Sequence, residues 1–125
     1  AETRNLMGAE AFAAAKRGMI LINTARGPIV DIDALYDAMK DGTVLAAGLD
    51  VLPQEPANPQ SRLIAAWQSN EDWIRHRLLL TPHSAFYTPE SMRDNRGFAS
   101  RTAARYLRDG RLDNCVNKQF LVARG

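Results

Sequence analysis

Three short, near-continuous apolar runs constrain this chain more than any other feature. They are residues 19–23 (MILIN), 44–50 (VLAAGLD) and 77–81 (RLLLT), each set off from helix-like sequence. Runs of this length without polar alternation suit strands buried on both faces of a parallel sheet. Between the first two lies segment 31–41, with Ile32, Leu35, Ala38 and Met39 on one helical face. Gly18, Gly42 and Gly110 each follow a charged pair that closes a helical segment, where a left-handed residue is wanted. Strand, helix, strand, a longer excursion, then strand is the order of an α/β protein with a parallel sheet. The excursion, 52–76, carries Pro53, Pro56 and Pro59 first; its second part, 61–75, with Trp67 and Trp73, predicts one or two short helices. A last helix opens at Thr88 as N-cap with Pro89 in its first turn and runs to about Arg108. Met92, Ala99, Ala103, Tyr106 and Leu107 form a rough stripe along it.

Composition narrows the function classes. With 46% hydrophobic and 24% charged residues, the chain is neither disordered, collagen-like nor a coiled coil. The net charge of +2 comes from scattered arginines, so no nucleic-acid partner is expected. No apolar stretch approaches the roughly 20 residues of a membrane helix, and no basic-then-apolar leader is present, so no membrane partner is expected. The single cysteine, Cys115, has no internal disulfide partner and fits a reducing, cytoplasmic compartment. No metal-ligand spacing occurs. The chain opens on Ala1, already in helix-like sequence, and is expected to be a fragment of a longer protein.

Three clusters fall at the carboxyl ends of the predicted strands, the edge where open α/β sheets bind ligands. After the first strand comes Asn23-Thr24-Ala25-Arg26-Gly27-Pro28. Arg26 there serves either a surface ion pair or a bidentate grip on a carboxylate. After the second comes Asp50, with Glu55 five residues on in a proline-braced loop. These are either two solvated carboxylates, or one partner for a histidine and one contact for a cofactor. After the third comes Thr81-Pro82-His83, followed by Phe86 and Tyr87. His83 stands where a general acid/base would work. The other histidine, His76, lies between Arg75 and Arg77 and reads as exposed. An arginine, a glutamate and a histidine beyond neighbouring strands could meet in one crevice, a set that suits 2-hydroxy or 2-oxo acids.

Ile22-Asn23-Thr24-Ala25-Arg26-Gly27, Gly48-Leu49-Asp50-Val51 with Glu55-Pro56, and Thr81-Pro82-His83 resemble the signature segments of the D-isomer-specific 2-hydroxyacid dehydrogenases. The resemblance runs from Thr3 to about Asn117. It implies an NAD(P)-dependent oxidoreductase acting on the CH–OH group of a D-2-hydroxy acid, with NAD or NADP as cofactor. It implies that Arg26 binds the substrate carboxylate, His83 is the acid/base and Glu55 its partner. Asp50 would contact the nicotinamide carboxamide. Thr24, Ala25, Arg26 and the turn His83, Ser84, Ala85 and Phe86 would line the cofactor, and Thr3 would approach it. A homodimer is the implied assembly.

The chain departs from the family pattern in one large respect. Its eight glycines include no G-x-G-x-x-G spacing, and the acidic residue that selects between NAD and NADP is absent. The implied fold is therefore the second half of a Rossmann-type doubly wound parallel sheet, three strands with flanking helices. Residues 1–117 would be a partial dinucleotide-binding domain and 118–125 a tail. The missing N-terminal half of the same protein would be its partner. The rival expectation is a non-enzymatic, dinucleotide-sensing corepressor or regulatory module of the same fold.

Overall fold

The computed structural model describes residues 2–120, which divide into two units, one ending at Ala85 and the next beginning at Phe86. The first unit holds a parallel sheet of three strands in the order β1 (Met19–Asn23), β2 (Val44–Leu49) and β3 (Leu78–Leu80). Strand order equals chain order, so each strand lies beside the next one in sequence. Ile20 pairs with Ala46 and Asn23 with Leu49, while Ala47 pairs with Leu78 and Leu49 with Leu80. The parallel α/β sheet expected from the apolar runs is present, with a third strand shorter than residues 77–81.

Helix α2 (Ile32–Lys40) crosses from β1 to β2. Its start is fixed by Asp31, whose side chain accepts from the N–H groups of Asp33 (3.0 Å) and Ala34 (3.1 Å). Its end is Gly42, whose φ of 85° is cheap only for glycine. Leu35, Ala38 and Met39 face inward at helical spacing, and Ile32 packs at the margin. Helix α3 (Arg62–Gln68) adds Leu63, Ile64 and Ala66. Together with Val44, Leu49 and Ile74 these form the core on one face of the sheet. Burying each such side chain contributes about 1.5–3 kcal/mol.

Helix α1 (Ala9–Ala13) is shorter than its sequence suggests. Residues 16–18 leave the helix because Arg17 donates to the Asp41 carbonyl and the Gly18 N–H bonds to the Thr43 carbonyl (2.9 Å). The other sheet face is not buried either. Ile20, Ile22, Leu45 and Leu79 are 63, 72, 53 and 65% exposed, because no described helix of this unit covers them.

The second unit is built on α4 (Pro89–Asp109), followed by a short 3-10 turn at Lys118–Phe120. The Thr88 hydroxyl accepts from the Ser91 N–H (3.1 Å), and Gly110 closes the helix at φ 65°. The stripe expected along it buries no residue: Tyr106 is 53% and Leu107 83% exposed. Residues 121–125 of the expected tail, and Ala1, lie outside the described residues. Among the described residues no helix is long and apolar enough to cross a membrane, and no three side chains are grouped to hold a metal ion.

Candidate active site

The loops after the three strands are joined by hydrogen bonds. Asn23, 6% exposed at the end of β1, shapes the first loop. Its side chain accepts from the Ala25 N–H (3.0 Å) and donates to the Arg26 carbonyl (3.1 Å). Its own carbonyl accepts from the Asp50 N–H of the next strand end (3.0 Å). Gly27 then runs against the second loop so closely that a Cβ there would lie 1.9 Å from the Leu52 carbonyl oxygen. Only glycine allows the loop carrying Arg26 to abut the loop carrying Glu55.

The second and third loops share a pair of side chains. His83 Nδ1 lies 2.9 Å from Glu55 Oε2. The other carboxylate oxygen, Oε1, accepts from the Leu52 N–H (2.9 Å), which fixes the carboxylate before the histidine meets it. An ionised carboxylate only accepts, so Nδ1–H donates. The His83 hydrogen bond, followed by that from Leu52, holds the Glu55 carboxyl below its ordinary value. Asp50, 5% exposed, is likewise held low, first by the Thr81 hydroxyl and then by the Ala85 N–H. A cavity of about 240 Å³ is bounded by Asp50, Leu52, Glu55, Thr81, Pro82 and His83.

The structure thus brings together Glu55, Asp50 and His83 of the residues singled out in the sequence. Arg26 stands on the adjoining loop, with its guanidinium turned back on the Ala25 carbonyl (2.7 Å) rather than onto a carboxylate. Thr24 and Ala25 are exposed on the same loop. Thr3 lies on an exposed turn whose following residues run beside that loop: the Asn5 N–H bonds to the Pro28 carbonyl (2.8 Å) and the Met7 N–H to the Ile29 carbonyl (3.0 Å). Ser84 and Ala85 give their N–H groups to Asp50, and Phe86 begins the second unit. Sequence reasoning gave no role to Asn23 or to the Thr81 hydroxyl. A polar residue ending an otherwise apolar strand was the available signal for Asn23.

A family model described as "D-isomer specific 2-hydroxyacid dehydrogenase, NAD binding domain" matches residues 1–85, and the chain belongs to this family. The glycerate dehydrogenase of Methylorubrum extorquens is 45% identical over 91 residues, covering 73% of this chain and 27% of that protein. A glyoxylate reductase from Paecilomyes thermophila superposes with a TM-score of 0.75 at 29% identity, covering 95% of this chain and 33% of that one. D-Lactate dehydrogenase from Aquifex aeolicus, solved with NAD and lactic acid, gives a TM-score of 0.66 at 30% identity, covering 85% and 34%. The chain spans 27% of the glycerate dehydrogenase and about a third of each of these two solved chains.

The residues present suit only one end of a nicotinamide dinucleotide. The cavity beside His83 is smaller than the roughly 300–1,000 Å³ of ordinary ligand pockets. No glycine-rich turn opens a helix among the described residues, so nothing cradles a pyrophosphate there.

The His83–Glu55 bond carries a pH signature with a defined sign. A carboxyl whose folded value is depressed adds stability that is complete above its ordinary value of 4.5 and fades as pH falls through the lowered one. In the full-length protein, Glu55→Gln is therefore expected to lower the melting temperature at neutral pH. The difference from the parent should close as pH falls below 4.5 and through the lowered value. Melting curves that differ equally at both ends would remove this pairing from the folded state.

Proposed function

We propose that the full-length protein is an NAD(P)-dependent oxidoreductase that interconverts a small 2-oxo acid and its D-2-hydroxy acid. The observation that carries this reading is the His83–Glu55 pair, 2.9 Å apart beyond the ends of parallel strands and beside a small cavity. Arg26 grips the substrate carboxylate with its planar guanidinium once it swings from the Ala25 carbonyl. His83 gives a proton to the oxo oxygen in reduction and takes it from the hydroxyl in oxidation. With Nδ1 bonded to Glu55, that transfer is assigned to Nε2, and Glu55 remains a carboxylate that orients the ring. The nicotinamide cofactor, NAD or NADP, supplies or accepts the hydride when bound. Thr3, Thr24, Ala25, Arg26, Asp50, His83, Ser84 and Ala85 are proposed to line it. Residues 1–117 are read as part of one dinucleotide-binding domain, completed by another part of the same protein, within a homodimer.

The test is reduction of glyoxylate, hydroxypyruvate, pyruvate and phenylpyruvate by the full-length protein with NADH and with NADPH. Turnover of one of them supports the reading. Dinucleotide binding without turnover of any would support the regulatory module instead. The isolated 125-residue chain is expected to bind NAD more weakly than about 1 mM, since its described residues hold no pyrophosphate cradle. Micromolar affinity by calorimetry would mean that the cofactor is held elsewhere.

A further inference from the structure

Residues 81–85 are wrapped around one buried side chain. Asp50 Oδ1 accepts from the Thr81 hydroxyl and from the Ser84 N–H (2.8 Å), and Oδ2 accepts from the Ala85 N–H (2.9 Å). The Asp50 carbonyl accepts from the His83 N–H (2.9 Å). Every residue of the turn except Pro82, which has no N–H, is thus bonded to Asp50. The turn needs this support, because His83 sits at φ 52°, a left-handed conformation that a side chain with a Cβ adopts at a cost. Asp50 is in turn fixed by its N–H to the Asn23 carbonyl (3.0 Å), which ties it to the loop carrying Arg26.

We propose that Asp50, locked by the Thr81 hydroxyl, is a positioning residue that holds the His83 turn in the one conformation that presents the imidazole to Glu55. This rests on the functional reading above and gives Asp50 a role distinct from the nicotinamide contact implied by the family resemblance. Its carboxylate is engaged by three donors from the turn, two on one oxygen and one on the other. A carboxylate so occupied acts on the backbone around it. Thr81 is the sensitive member, because its hydroxyl is the only side-chain donor of the three, and a valine there keeps the shape while removing the bond.

The test uses the full-length protein with ¹³C-labelled glutamate, the Glu55 carboxyl signal being assigned by its loss in Glu55→Gln. Its titration reports whether His83 is in place, independently of catalysis. In the parent and in Thr81→Ser, Glu55 should titrate below 4.5. In Thr81→Val it should move up toward that value. The same variant should lose about 10- to 100-fold in kcat, the usual cost of removing a partner that orients a working histidine, with the KM for the cofactor changed little. Thr81→Ala, which removes the same hydroxyl and leaves the Asp50 charge in place, should move Glu55 in the same direction and serves should Thr81→Val not fold. An unmoved Glu55 titration in the folded variants overturns the proposal, and so does a raised cofactor KM with kcat and the titration intact. Displacement of the Glu55 titration in a protein that reduces no 2-oxo acid supports the positioning role and overturns the functional reading.

Discussion

His83→Ala should lower kcat of the full-length protein about 10²- to 10⁴-fold, the usual worth of a positioned acid/base. His83 is the histidine that the turn around Asp50 places against a carboxylate, at 2.9 Å. His76, at φ 62° in the turn before β3, is exposed and contacts no carboxylate within salt-bridge distance among the described residues. His76→Ala should therefore leave kcat within about twofold. Substrate affinity should change far less than turnover in His83→Ala, because the proposed function puts the proton transfer in the transition state and the carboxylate grip on Arg26. Steady-state kinetics with the preferred 2-oxo acid settle the point: a loss smaller than tenfold would assign the proton to another group.

Arg77→Met should be strongly destabilising, by about 3–5 kcal/mol. The Arg77 guanidinium donates to four main-chain carbonyls: Leu45 (2.7 Å), Trp73 (2.7 Å), Met39 (2.9 Å) and Val44 (2.9 Å). It thereby joins the last turn of α2, the start of β2 and the turn that leads into β3. Methionine fills the same volume and satisfies none of them, and the part-buried carbonyls lose charge-assisted bonds. Against a typical domain stability of 5–15 kcal/mol, such a loss is large. Arg77→Lys should recover less than half, because an ammonium cannot span four acceptors with a planar fork. Urea unfolding of the full-length protein is the measurement, and a change below about 1 kcal/mol would make this clamp ornamental.

The strands and α2 are legible in the sequence because their signals are local. The apolar run 19–23 becomes β1 with the same limits, and Asp31 and Gly42 bound α2 as an N-cap and a left-handed glycine should. The first helix is misread at its end because the competing bonds come from residues more than 20 positions away, at Asp41 and Thr43. The apolar runs predict two covered faces. The described residues cover one, so pattern reports that a face is apolar and not what lies on it. The pairing of Glu55 with His83 spans 28 positions, and it was legible because both follow strand ends on the ligand-binding edge of a parallel sheet. The roles of Thr81 and Asn23 were not legible, since each depends on which main-chain groups the loops bring to it. Arg77 read as the polar start of a strand.

The loops bearing Arg26, Glu55 and His83 follow three strands that are neighbours both in space and in sequence. The site-bearing rim is therefore a single cassette, residues 19–85, whose internal bonds run from Asn23 to Asp50 and from Asp50 to the His83 turn. Moving that cassette between family members would carry the His83–Glu55 pair whole. The seam of such a chimera would fall on the open sheet face, where Ile20, Ile22 and Leu79 meet whatever covers them. Compatibility would then be a matter of apolar volume at that seam, tunable by ordinary repacking, and separate from the chemistry at the rim.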